Sequence, residues 1–115
     1  MTSRAFLPAI SPNAFKAKGD RLREMRIDHR TDLTLDDLAR WLNPIVGGWM
    51  GYYGRYYRSA LLPLLQRVSY YLRRWAGKKY RRLQSKDSFM AWWDGLVKRQ
   101  PGLFAHWRWT RSYAY

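Results

Sequence analysis

Residues 42–83 read LNPIVGGWMGYYGRYYRSALLPLLQRVSYYLRRWAGKKYRRL, and the fold is decided in this stretch. At 100° per residue, Leu61, Leu65, Val68, Leu72 and Trp75 fall on one side of a helix, while Arg67, Arg74, Lys78, Arg81 and Arg82 fall roughly opposite. One face packs and the other binds. The pattern predicts a long helix over residues 60–83, with Ser59 as its N-cap and Pro63 tolerated in its first turn. Just upstream, Asn43 is expected to cap a segment with Pro44 in the first helical position. Ile45, Val46, Trp49 and Tyr53 give that segment an apolar stripe to about Tyr57. Leu42, Ile45, Trp49, Leu65, Val68, Leu72 and Trp75 are the expected core.

Gly48, Gly51 and Gly54 recur at every third position, which leaves a strip poor in side chains where another backbone could approach. Tight helix packing is the favoured use of that strip over contact with a phosphate. GWMG and GYYG satisfy a bare GXXG pattern, but the KH fold that uses one needs strands, and no strand-period run is found.

Working outward, Thr34 and Asp37 have the spacing of a capping box, with Asp36 and Asp37 in the first turn of the helix that follows. Leu35, Leu38 and Leu42 form its stripe, and Pro44 is expected to end or kink it. Residues 1–14 read as an irregular arm because of Pro8 and Pro12. Asn13 is a candidate cap for a first helix over residues 14–27, with Gly19 as its weak point. Ser85 or Asp87 starts a last helix carrying Phe89, Trp92, Trp93, Leu96 and Val97, which the turn signal Gln100-Pro101-Gly102 closes. The aromatics of the tail, LFAHWRWTRSYAY, are expected to fold back onto the core. The expected class is all-α: a small single-domain helical bundle of about four to five helices, the longest spanning about 60–83. Residues 110–115 are read as a C-terminal tail.

Charge is concentrated where the helical signal is strongest. Residues 38–86 contain no Asp or Glu, eleven basic side chains and ten Trp or Tyr, so +11 of the net +14 lies in this one interval. Such a field attracts polyanions, because Lys and Arg release condensed counterions from phosphates while Tyr and Trp rings can stack on unpaired bases. The candidate RNA-binding residues are Arg40, Arg55, Arg58, Arg67, Arg73, Arg74, Lys78, Lys79, Arg81 and Arg82, with Tyr56 and Tyr80 as stacking platforms.

Other classes are poorly served. At 115 residues and 47% hydrophobic content the chain suits one domain with a real core, and no apolar run approaches the roughly 18 residues of a membrane span. The N-terminus lacks an adequate signal-peptide core and there is no Cys, so a cytoplasmic location is the default expectation. Asp20, Glu24 and Asp28 at i, i+4 spacing beside Arg21 and Arg23 suit surface ion pairs better than a metal site. His29 and His106 stand in separate segments without a ligand-spaced neighbour. No nucleotide-binding or hydrolase motif and no paired polymerase aspartates are present, so no catalytic residue, metal or cofactor is expected.

Leu42-Asn43-Pro44-Ile45-Val46-Gly47-Gly48-Trp49 followed by Tyr52-Tyr53 resembles the LNPxxRGWxxYY signature of the maturase-specific domain, domain X overlapping the thumb, of group II intron reverse transcriptases. Asp32-Leu33-Thr34-Leu35, Leu38-Ala39-Arg40-Trp41, Trp75-Ala76-Gly77-Lys78-Lys79-Tyr80 and Phe104-Ala105-His106-Trp107 follow the family's order. The resemblance covers roughly residues 10–109 and places the RNA-binding helical domain at 15–109. It implies a module that binds structured group II intron RNA and helps it reach its splicing-competent fold, the RNA performing the chemistry. One position departs: Gly47 stands where the family commonly has Arg. The polymerase fingers and palm with their catalytic aspartates would lie upstream. The chain is therefore expected to be a remnant, an incomplete gene, or a split maturase partnered by a separate reverse-transcriptase polypeptide. Two rival readings are a basic amphipathic protein on anionic membrane surfaces and a generic helical DNA-binding domain. Buried tryptophans would count against the first, and the second lacks a short helix offering Asn, Gln or Arg to base edges.

Overall fold

Thr34 opens the element on which the rest of the fold is laid. Its hydroxyl accepts from the Asp37 N–H at 3.1 Å and the Asp37 carboxylate accepts from the Thr34 N–H at 3.0 Å, the reciprocal capping box that the spacing predicts. The computed structural model describes residues 12–110. Three helices make up the fold of these residues: α1, Pro12–Glu24; α2, Leu35–Lys79; and α3, Lys86–Arg99. Single 3-10 turns at Ile27–His29, Arg81–Leu83 and Ala105–Arg108 join or follow them, and there is no strand among the described residues. Of the expected irregular arm at 1–14, residues 12–14 are instead the start of α1; the rest of it, and all of the expected tail at 110–115 except Thr110, lie outside the described residues.

The all-α class holds, with the helices divided differently from the sequence expectation. A straight helix of 45 residues would be about 67 Å long, yet the molecule's longest dimension is 56 Å. The bend is at Tyr57, whose φ of −129° and ψ of 27° leave the helical region between two weak points of the ladder, Gly54 and Pro63. Neither proline ends the helix. Pro44 and Pro63 both lie inside α2 with their rings exposed, while buried neighbours on the opposite face hold the ladder together. Ser59 caps nothing, because the helix restarts before it. The C-terminal limit is Lys79 rather than 83, since Tyr80 is extended and Leu83 turns inward to 1% exposure.

Asn43 is also not a cap. Its Nδ2 donates to the Leu103 carbonyl at 2.8 Å and its Oδ1 accepts from the Ala105 N–H at 2.9 Å. One side-chain amide thus clamps a segment sixty residues away as a neighbouring strand would. That clamp seats Phe104, His106 and Trp107 in the core, as expected of the tail aromatics. Trp107 meets Trp93 and Phe104 with ring centroids 5.1 Å apart in edge-on geometry. His106 is buried, with Nε2 2.8 Å from the Ser69 hydroxyl of α2.

The predicted core residues come together on α2, Ile45 being half-buried at its edge. α1 packs across α2 through Leu22 and a Phe15–Tyr53 ring contact at 5.2 Å. It starts at Pro12 and stops at Glu24, short of the expected 27, because Arg26 adopts the left-handed conformation, φ 50° and ψ 48°, to turn the chain. Gly19 lies where α1 is crossed by the Arg67 guanidinium, and a Cβ there would collide with it. In the predicted glycine strip only Gly54 is packed, against the Trp109 ring; Gly48 and Gly51 face open space. Ser85 caps α3 by accepting from the Ser88 N–H at 3.2 Å.

Candidate nucleic-acid interface

The last turns of α2 carry the densest charge, and the fold uses part of that charge on itself. Asp28, expected to form surface pairs, is instead 7% exposed. Its Oδ2 accepts from Arg74 Nε at 3.3 Å and Lys78 Nζ at 3.2 Å. Burial pushes this carboxyl up, but the hydrogen bonds from Lys78 and Arg74 outweigh it and hold the group below the usual carboxylate range. Lys79 Nζ donates to the carbonyls of Thr31 at 3.0 Å and Leu33 at 2.7 Å. Trp75 Nε1 donates to Arg30 O at 2.8 Å. Arg74, Trp75, Lys78 and Lys79 therefore fasten the connector between α1 and α2. Lys79, half-buried, is turned to that structural task.

The other predicted residues divide by location. Arg40 pairs with Asp37 at 2.6 Å near the start of α2. Around the bend, Arg55 lies 5.3 Å from the Tyr56 ring centroid and Arg58 4.4 Å from that of Trp109. Arg67 donates to Gly19 O at 3.4 Å, and Arg73 lies 5.4 Å over the Phe89 ring. Arg81 and Arg82 are exposed but lie in the turn past Tyr80, not on the helical face expected of them. Among the described residues Arg55, Arg58, Arg81 and Arg82 meet no carboxylate. Two groups result: Arg55, Tyr56 and Arg58 at the bend, and Arg73, Arg74, Lys78, Tyr80, Arg81 and Arg82 at the C-terminal end of α2.

The aromatics sort by type. Trp49, Trp75, Trp93 and Trp107 are buried and Trp41, Trp92 and Trp109 half-buried, whereas the exposed large side chains are Tyr52, Tyr56, Tyr70 and Tyr80. Tyr52 and Tyr70 are not among the stacking platforms expected from the sequence. Tyr70 had a signal there, since it stands four residues before Arg74, whose Nη1 reaches its hydroxyl at 3.4 Å. Arg23 and Arg26 lie across the connector, where they line a groove of about 540 Å³ with Tyr71, Arg74 and the carboxylates of Glu24 and Asp28.

Among the described residues no group of three or more His, Cys, Asp or Glu is placed to hold a metal ion, and no helix is long and apolar enough to cross a membrane. No curated protein and no solved structure matches the chain. The family model described as "Group II intron, maturase-specific domain" matches residues 15–93, more than half of the sequence, and takes in most of α1, all of α2 and the first part of α3. The chain belongs to the group II intron maturase-specific domain family.

Proposed function

We propose that this chain is an RNA-binding maturase module that assists the folding and splicing of a group II intron RNA, through basic and tyrosine-bearing surfaces at the bend and C-terminal end of α2. The observation that carries this reading is the division of the aromatics: no Trp among the described residues is exposed, while Tyr52, Tyr56, Tyr70 and Tyr80 lie outward, the last three beside an arginine or lysine. A membrane-surface protein needs an apolar face of Trp, Phe or Leu to insert, and here those side chains are spent on the core. Phosphates are the natural counter-charge for arginines that lack carboxylate partners. The module neutralises phosphates so that RNA segments can approach one another; the reacting groups belong to the RNA.

The test is binding to a group II intron RNA and to a scrambled RNA of equal length across a salt series. With about six phosphates neutralised, log K should fall with log salt at a slope of roughly −4 to −5. Arg81→Ala with Arg82→Ala, which breaks no ion pair among the described residues, should flatten the slope by roughly one per lost contact. Salt-independent binding, or equal affinity for intron and scrambled RNA, would leave the proposal without support.

A further inference from the structure

Beside the ridge formed by Tyr70 and Arg74 lies a recess of about 350 Å³, with Leu83 and the Gly77 backbone at its floor and Arg73, Lys78 and Gln84 on its rim. The volume is at the lower end of the roughly 300–1,000 Å³ of small-molecule sites, too small for a helix or a peptide strand to enter. No carboxylate lines it; the neighbouring Asp28 is already engaged by Arg74 and Lys78. Its aromatic wall is held in place. Tyr70 makes an edge contact with Tyr71 at 5.6 Å between centroids, and the Arg74 guanidinium, itself fixed by Asp28, stands 5.8 Å from the Tyr70 ring. Tyr70 is nevertheless 41% exposed. Gln84 Nε2 donates to Gly77 O at 3.3 Å, which leaves the amide oxygen to accept a hydrogen bond from a base edge. A planar apolar surface, an acceptor and cations at the rim match a base with its phosphate, and the room is for one.

Building on the RNA-binding reading above, we infer that this recess takes a single unpaired nucleotide of the bound RNA, the base against Tyr70 and the phosphate at Arg73 and Lys78. The site selects for an extruded base, so it favours bulged or looped RNA over continuous duplex, in which every base is already stacked.

Two RNA hairpins of equal length, one fully paired and one with a single bulged adenosine, test this by fluorescence anisotropy. The bulged hairpin should bind tighter by roughly 5- to 150-fold, the range that one base–aromatic stack supports. Tyr70→Ala should collapse that ratio towards one, and Tyr70→Phe should keep most of it. Because Tyr70 also contacts Arg74, Gly77→Leu is the independent variant. A Cβ at Gly77 would meet only Gln84 and the Leu83 carbonyl within 4 Å, both at 3.9 Å, and no atom of Tyr70, so a larger side chain there narrows the recess from the Gln84 side. It should abolish the preference too. Equal affinity of the wild-type chain for both hairpins, or a preference that survives both variants, overturns the recess while leaving general RNA binding intact. Failure to bind either hairpin overturns both readings. Adenosine monophosphate competing as well as the bulged hairpin assigns the recess to a free mononucleotide and overturns its role in RNA.

Discussion

Acidification from pH 7 to 4.5 should remove about 2–3 kcal/mol of stability through one side chain, His106. Burial lowers its pKa from 6.5 to about 4, and the ring is 1% exposed with only the Ser69 hydroxyl against Nε2. At pH 7 the imidazole is neutral in the folded chain and mostly neutral in the unfolded one. As pH falls below 6.5 the unfolded chain takes up a proton that the folded core refuses, so stability declines at up to ~1.4 kcal/mol per pH unit until the folded group titrates near pH 4. Carboxylates such as Asp28 and Asp37 have lowered pKa values. Their contribution is complete above the unfolded value of about 3.9 and is lost as pH falls through the folded one, which places it in a lower window. Urea unfolding at half-unit steps from pH 7 to 4.5 reads the effect. With a slope of about 1–2 kcal/mol per molar urea for a domain of this size, the midpoint should drop by roughly 1–2.5 M. His106→Gln should be less stable at pH 7 but much flatter across the same range. A midpoint that holds steady between pH 6.5 and 4.5, or an unchanged slope in the variant, would refute the assignment of the proton to this residue.

Asn43→Ala should cost about 1–3 kcal/mol, because the Leu103 carbonyl and Ala105 N–H both lose their partner; faster hydrogen exchange at Ala105 and redder Trp107 emission would report it. Arg74→Ala with Lys78→Ala should destabilise the fold by about 1–3 kcal/mol, since it strips both hydrogen bonds from buried Asp28. Adding Asp28→Asn should restore part of that loss in the same thermal melts. Gly47→Arg should stabilise α2 by about 0.5–1 kcal/mol, as a helical Gly is replaced where nothing lies within 4 Å of the new Cβ. It should also steepen the salt dependence of RNA binding by roughly one unit, if the new cation reaches a phosphate.

What could be read from the sequence was whatever depends on neighbours a few residues apart. The Thr34–Asp37 box, the Ser85 cap and the burial of Leu65, Val68, Leu72 and Trp75 are all set by spacing along one helix, and all are found. What escaped depends on partners distant in the chain. Asn43 followed by Pro44 has the local signature of a helix start, but the amide is drawn away by residues 103 and 105, and the helix passes through the proline. Asp28 looked like a surface charge because its two cations come from 46 and 50 residues further on. The same blindness affected the candidate interface. The density of cations was plain in the sequence, but that Arg74, Lys78 and Lys79 hold the connector in place follows only from where the connector lies. Tyr56 and Tyr80, the expected stacking platforms, are exposed; the exposure of Tyr52 and Tyr70 needed the surface to be seen.

The Asn43 clamp has a consequence for how the chain comes into being. While it is being synthesised, α2 can coil as soon as its own residues emerge, since its ladder is local. The side of it that receives Phe104, His106 and Trp107 stays bare until those residues have been made. Closure of the domain therefore waits for residues 103–107: a nascent chain stalled at residue 93, where the family match ends, should present a sticky, helical surface to chaperones, and one extended past residue 107 should not.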